Sequence, residues 1–228
     1  MMQLYIGNKN YSSWSMRPWV LLKAFDIAFD EIKLRFDFGP GSPFFQALSA
    51  VTPAARVPVL IEDDGFGVWD SLAITEYIAE RHPELAIWPR SPKARARARS
   101  VCAEMHAGFG SLRSLCPMNI EAHLPEVGAR QLEAEAGLRK DLARVDSLWS
   151  EALAASGGPF LFGDFSAADA YYAPVAMRTS RYGLPLSPPA AAYAQALERH
   201  PAVAAWVADA LLERDFIAED EPYRTSPG

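Results

Sequence analysis

Residues 83–92, PELAIWPRSP, carry three prolines in ten positions and divide the chain into parts that follow different folding rules. Proline locks φ and has no N–H to donate, so neither a helix interior nor a central strand runs through such a segment. It reads as a linker between a region at 1–82 and a region at 93–228. In the first region strand and helix signals alternate. QLYIG (3–7) is a short apolar strand, and SMRPWVLLKAF (15–25) is a helix with Pro18 in its first turn, where a missing N–H does little harm. FDEIKLRF (29–36) suggests a second strand, the loop DFGPGSP breaks it, and a weak helix follows at 44–48. VPVLIE and FGVWD flank an Asp-Gly turn and form the clearest hairpin signal in the chain. Asp70 or Ser71 then caps a helix, SLAITEYIAERH, that stops at Pro83. The order β-α-β-α-β-β-α predicts a small mixed sheet with helices on its faces.

Beyond the linker strand patterns vanish. Ala-, Leu-, Glu- and Arg-rich segments predict helices at roughly 93–115, 126–156, 166–180 and 190–212, an all-helical second domain. The tail EDEPYRTSPG is expected to be a surface segment or disordered.

Several functions are disfavoured by simple totals. A net charge of −6 argues against a nucleic-acid surface. No apolar run approaches the ~20 residues that span a bilayer. The start, MMQLYIGNKN, lacks the features of a secretory signal, so the cytoplasm is the expected compartment. The two cysteines, Cys102 and Cys116, form no CxxC. On one helix they would stand about 21 Å apart, beyond the reach of a disulfide. The four histidines show no ligand spacing, and no metal site is expected.

Three features of the first region carry chemical interest. NKNYSSWSMRPW (8–19) places Ser12, Ser13 and Ser15 at a helix start, where capping alone is a sufficient reason for serine. TPAARVP (52–58) opens a strand with Val57-Pro58. That is either an edge-strand start or a cis peptide, which would turn the Val57 backbone toward an extended peptide ligand. Asp70-Ser71 sits at a strand-to-helix turn and serves equally as a cap or as an anion site made of a hydroxyl and free N–H groups.

Taken together, these residues resemble the cytosolic glutathione S-transferases. GDFSAAD (163–169) adds to the likeness, matching that family's Gly-x-x-x-Ser/Thr-x-Ala-Asp signature, in which Ser166 and Asp169 form a structural capping box. YSSWSMR is most similar to the zeta-class pattern Ser-Ser-Cys-Ser-x-Arg, matching at Ser12, Ser13, Ser15 and Arg17. Trp14 stands where that class keeps a cysteine, which weighs against its maleylacetoacetate isomerase reaction and against thiol–disulfide exchange. Asp70 stands where Glu or Gln is more usual.

The resemblance implies a thioredoxin-like first domain that binds glutathione and a helical second domain that holds an apolar electrophile. Ser12, then Ser13, is implied as the hydroxyl that stabilises the glutathione thiolate, with Tyr11 as a rival phenol. Ser15, Arg56, Val57, Pro58, Asp70 and Ser71 are implied to bind the rest of the tripeptide. Met105, His106, Phe109 and Arg113, on the first long helix of the second domain, are candidates for the electrophile pocket; a core or interface role is the competing reading for each. The expected reaction is conjugation, the alternatives being a non-catalytic glutathione- or protein-binding relative and a glutathione-dependent cis–trans isomerase. The implied partners are a small electrophile and a second copy of the chain in a homodimer. The basic run KARARARS (93–100) fits a solvated or dimer-facing surface.

Overall fold

The computed structural model describes residues 1–226. Its first region contains β1 (Gln3–Ile6), α1 (Ser13–Ala24), β2 (Asp30–Lys33), α2 (Pro43–Ser49), β3 (Val59–Ile61), β4 (Gly67–Trp69) and α3 (Ser71–Arg81). The sheet runs β2-β1-β3-β4, with β1 parallel to β2 and both other pairs antiparallel. Leu4, Ile6, Val59 and Leu60 of the two central strands are fully buried, and α1 and α3 bury apolar faces against them. This is the expected thioredoxin-like α/β domain.

The second region is helical: α4 (Pro92–Ala107), α5 (Gly110–Leu115), α6 (Pro125–Ala134), α7 (Ala136–Ser156), α8 (Ala167–Arg181), α9 (Pro188–Arg199) and α10 (Pro201–Glu213), followed by a 3-10 turn at Ala218–Asp220. Three of the four long helices read from the sequence are each split in two. Between α4 and α5, Gly108 is extended and Phe109 is left-handed (φ 55°). Between α9 and α10, Pro201 forces His200 out of the helical region, as proline does to its predecessor. Glu135 is extended between α6 and α7, and no local residue accounts for that break.

α8 is the axis of the helical domain: every residue from Ala167 to Thr179 is buried. Its start holds the predicted capping box between Ser166 and Asp169. Asp169 also accepts from Leu161 N–H at 3.1 Å and the Tyr193 hydroxyl at 2.9 Å, tying α8 to α9.

The two regions share one continuous apolar core, running from Leu4 and Trp19 through Trp149 and Trp206. The loop Asn8-Lys9-Asn10 is buried within this junction. Lys9 pairs with Glu31 at 2.8 Å and Asp209 at 2.6 Å, its carbonyl accepts from Trp206 Nε1, and Asn10 bonds Asn119. Buried polar groups survive only when partnered in this way. The docking brings α1 against α8, and so fixes what surrounds the serines at the start of α1.

The tail departs from expectation. Glu221 is 5% exposed and accepts a 2.7 Å hydrogen bond from the Tyr11 hydroxyl. Arg224 pairs with both Glu221 and Glu121, and Tyr223 donates to the Leu115 carbonyl at 2.7 Å. Glu221 and Arg224 of EDEPYR, charges that suggested solvent, are consumed by each other and by the domain junction; Pro227 and Gly228 lie outside the described residues. Both cysteines are buried free thiols. Among the described residues no helix is long and apolar enough to cross a membrane, and no cluster of three metal-ligating side chains occurs.

Candidate active site

A cleft and a cavity meet at the N-terminus of α1. The cleft, of about 400 Å³, is lined by Trp14, Ala54, Arg56, Val57, Pro58, Trp69, Asp70, Ser71, His106 and Arg113. The cavity, of about 800 Å³, shares Trp14, Ala54, Arg56, Val57 and Arg113 with it and continues past Ser12 and Ser13 to an aromatic wall. The residues read as binding a peptide and those read as doing chemistry therefore lie along one path.

At one end of the path the chain turns from β4 into α3 at Asp70, a non-glycine residue at φ 74°. Such a conformation costs on the order of 1–3 kcal/mol and persists only where its surroundings hold it. Here Asp70 Oδ1 accepts the N–H groups of Leu72 and Ala73, while Oδ2 lies 3.2 Å from His106 Nε2. Ser71 Oγ is 2.9 Å from the Tyr171 hydroxyl, itself 3.4 Å from His106 Nδ1. The second domain thus buttresses the Asp-Ser pair from behind. In the middle of the path the Val57–Pro58 peptide is cis. The β3 ladder begins only at Val59, leaving the Val57 backbone outside it beside the cleft.

The three serines play three different parts. Ser12 occupies the N-cap position of α1 without capping through its side chain. Its hydroxyl donates to Ser15 Oγ at 2.7 Å, and Ser15 Oγ also accepts the Gly7 N–H at 3.2 Å. Ser15 is fully buried and lines neither cavity, so its expected place in a ligand site and as the helix cap is corrected: it latches α1 to the end of β1. Ser13 Oγ accepts from Arg178 Nη2 at 3.3 Å.

The electrostatics are strongly positive. Arg17 is 1% exposed; it donates to the carbonyls of Ser13 (2.7 Å) and Tyr171 (3.2 Å), and its Nη2 has no partner. Arg178 is 5% exposed and donates to the carbonyls of Cys116 and Pro174 as well as to Ser13. Burial pushes the Arg17 guanidinium down to about 10 and that of Arg178 to about 9, repulsion between neighbouring arginines adding to the latter. Both remain cationic at neutral pH. Among the described residues no carboxylate lies within ion-pair distance of Arg17, Arg56, Arg113 or Arg178. Two of these cations face the ring of Trp14, Arg17 at 4.2 Å and Arg113 at 5.1 Å from its centroid. His106 meets the same ring edge-on at 5.2 Å. Trp14 is therefore the platform on which the site's cations rest, an arrangement worth about 0.5–2 kcal/mol per contact.

Of the four residues expected around an electrophile, only Arg113 lines the large cavity. Met105 and Phe109 are core residues, 0% and 6% exposed, because those positions of α4 and its exit face the helical bundle. His106, one step around α4 from Met105, reaches the cleft instead. The cavity wall comes largely from residues that sequence reading passed over: Phe36, Phe38, Phe44 and Phe45, which stack edge-on or tilted around the DFGPGSP loop. Gly7 is required beneath them, since any side chain there would run into the Phe36 ring. Tyr11, the rival phenol, also lines the cavity, but its hydroxyl is spent on Glu221 and the Asp215 carbonyl. Burial and Glu221 push it up to about 12.

Models of the glutathione S-transferase N-terminal and C-terminal domains match residues 11–81 and 117–209. A probable maleylacetoacetate isomerase of Caenorhabditis elegans is 28% identical over 186 residues, covering 81% of this chain and 82% of that one. A solved glutathione transferase of Methylococcus capsulatus superposes with a TM-score of 0.67 at 26% identity, covering 93% of this chain and 100% of its own. A maleylacetoacetate isomerase of Methylobacterium extorquens AM1, solved with malonate and glutathione bound, gives 0.64 at 26% identity over 90% and 95% of the two chains. Both matched domains, together with the fold they describe, place the chain in the glutathione S-transferase family.

Proposed function

We propose that the chain conjugates glutathione to small electrophiles, with the tripeptide in the cleft, its sulfur at Ser12 and Ser13, and the electrophile in the aromatic cavity. One observation carries this reading: the cleft at Asp70-Ser71 and Val57 opens into an aromatic cavity at the two serines. The γ-glutamyl carboxylate fits the Ser71 hydroxyl at the start of α3, and the cysteinyl backbone fits Val57 as an added strand-like pair.

The chemical demand is to favour thiolate over thiol. A free thiol has a pKa of about 8.5, and each unit of depression corresponds to about 1.4 kcal/mol. Three features of the site supply it. The N-terminus of α1 presents its dipole to the sulfur. Arg17 and Arg178 hold two uncompensated positive charges behind Ser13, where low dielectric strengthens their field. The serine hydroxyls donate directly. Rotating the Ser12 and Ser15 hydroxyls reverses their 2.7 Å bond, so that Ser15 donates to Ser12 and Ser12 to sulfur, with Gly7 N–H still on Ser15. Ser13, already accepting from Arg178, has its own proton free for the same sulfur.

A second reading is favoured by the cations. Arg56, Arg113 and Arg178 line the cavity without carboxylate partners, which suits an electrophile bearing carboxylates and, with it, isomerisation of the maleylacetoacetate type. Titration calorimetry with glutathione, then turnover of 1-chloro-2,4-dinitrobenzene and of a cis-enedioate, tests both readings. Absence of glutathione binding would reject them together. Ser12→Ala should raise the pKa of the bound thiol by about 1–2 units and slow conjugation ten- to hundredfold at neutral pH. If Ser13→Ala does this and Ser12→Ala does not, the sulfur sits on the Arg178-supported hydroxyl.

A further inference from the structure

Asp220 has no explanation in the site described so far. It ends the 3-10 turn at Ala218–Asp220, lies among the lining residues of the electrophile cavity, and its Oδ2 is sealed from solvent without any hydrogen-bond partner. The turn is fixed in place on one side by Glu221 on the Tyr11 hydroxyl and on the other by Arg224 and Tyr223. A carboxyl left unpartnered in a built wall, while its neighbours Glu221 and Arg224 are fully paired, serves no structural bond.

Resting on the transferase reading, we propose that Asp220 is a catalytic acid that selects α,β-unsaturated carbonyl compounds as electrophiles. The glutathione thiolate forms a bond to the β-carbon, the alkene π pair moves toward the carbonyl, and the resulting enolate oxygen takes the proton of the Asp220 carboxyl. The enol then tautomerises to the saturated carbonyl adduct. The thiol proton leaves to solvent when glutathione binds, and Asp220, half-buried in the cavity wall, gives and regains its proton at Oδ1, the carboxyl oxygen that is not sealed, so the sum is addition of S–H across the double bond.

The groups around Asp220 suit an acid. Glu219 and Glu221 on its own segment oppose its ionisation, and burial does so more strongly, which pushes the carboxyl up to about 6. From the other elements, Tyr11, Arg56, Arg113 and Arg178 line the same cavity, but among the described residues no arginine pairs with Asp220 to hold it ionised. The arginines are instead free to steady the enolate.

Two probes separate this role from packing. Aromatic substitution on 1-chloro-2,4-dinitrobenzene expels chloride and needs no proton, whereas addition to trans-4-phenyl-3-buten-2-one needs one. Asp220→Asn should lower kcat with the enone at least tenfold more than with the chloroarene, in the range that acid catalysis supplies. In the native protein the ratio of enone to chloroarene rates should fall as pH rises through about 6, and in Asp220→Asn that ratio should be flat. Thermal melting checks that the variant is folded; Asp220→Glu, which keeps the acid, should recover part of the enone rate. Equal losses with both probes, no loss with either, or a native protein that turns over only the chloroarene would each overturn the role of Asp220. A native protein that turns over neither probe with glutathione would reject the transferase reading itself.

Discussion

The cleft proposed for glutathione and the cavity proposed for the electrophile meet at Trp14 yet draw on the chain differently. The cleft is built mainly from short local motifs of the first domain, Arg-Val-Pro at 56–58 and Trp-Asp-Ser at 69–71, with Trp14 and Ala54 beside them and only His106 and Arg113 from the second domain. The cavity gathers more widely separated pieces: the runs 11–14 and 54–57, Phe36, Phe38, Phe44 and Phe45, residues of α5 and the loop after it, and lone residues as distant as Arg178 and Asp220. Recognition of a fixed tripeptide requires backbone groups at defined strand and helix ends, which local sequence can encode. A cavity for a variable apolar ligand requires only bulk and a few charges, which many arrangements supply. The difference predicts that substitutions in the two regions separate kinetically, the cleft controlling KM for glutathione and the cavity controlling KM for the electrophile.

The sharpest break of that separation is at Ser71. Ser71 is 2% exposed at the N-terminus of α3, and its Oγ is already engaged by Tyr171. Removing a hydrogen bond to a charged carboxylate costs about 1.5–3 kcal/mol, so Ser71→Ala should raise KM for glutathione roughly ten- to hundredfold. KM for the electrophile should hold within a factor of about two. Steady-state kinetics with each substrate varied in turn measures both. A comparable rise for the electrophile would mean that cleft and cavity act as one unit.

A smaller effect is expected from the cavity side. Phe38 is 41% exposed and packs against Phe36 and Phe44 at 5.3 Å and 6.1 Å between centroids. An aromatic contact of this kind is worth about 0.5–1.5 kcal/mol, so Phe38→Ala should raise the electrophile KM by roughly two- to tenfold and leave that for glutathione unchanged. An altered glutathione KM would place the tripeptide deeper in the cavity than the cleft geometry indicates.

The same contrast explains what was legible in the sequence. Alternation, turn chemistry and capping residues announced the sheet, its helices and the capping box at Ser166 and Asp169, because those are local signals. The break at Glu135 was invisible, since helix propensity continues across it. Pro201 and the pair Gly108 and Gly110 around Phe109 were local signs of the other two breaks. Ser12 and Ser13 were legible as a helix start, but their separate partners were not: Ser15 is three residues away, whereas Arg178 is 165 residues away and arrives only through the docking of α8 on α1. Arg178 did leave a trace, a charged side chain directly after the apolar run AYYAPVAM (170–177), on a helix that the fold buries from every side. The tail misled for a related reason. Its charge density signals solvent unless a partner is known, and the partners, Tyr11 and Glu121, lie in other elements.

Tyr11 links the two regions and gives the smallest catalytic effect with the clearest stability signature. Its hydroxyl donates to Glu221 at 2.7 Å and accepts from the Ile217 N–H at 3.4 Å, holding the tail that completes the cavity. Tyr11→Phe removes a hydrogen bond to a buried carboxylate, a loss of about 2 kcal/mol, or a melting temperature lower by roughly 4–8 °C in a chain of this size. Burial opposes ionisation of Glu221, but Arg224 and Tyr11 together outweigh it and hold the carboxyl below its ordinary value. A carboxylate depressed in the folded state stabilises fully above its unfolded pKa of about 4.3 and ceases to do so as pH falls through the folded value. The difference in melting temperature between native protein and variant should therefore be constant near neutrality and shrink below about pH 4. Conjugation at saturating glutathione should change by less than about threefold, because the phenol is committed to the tail and not to sulfur. A loss approaching the hundredfold range, with a raised pKa of the bound thiol, would instead make Tyr11 the sulfur donor and reduce Ser12 to a link in the helix start.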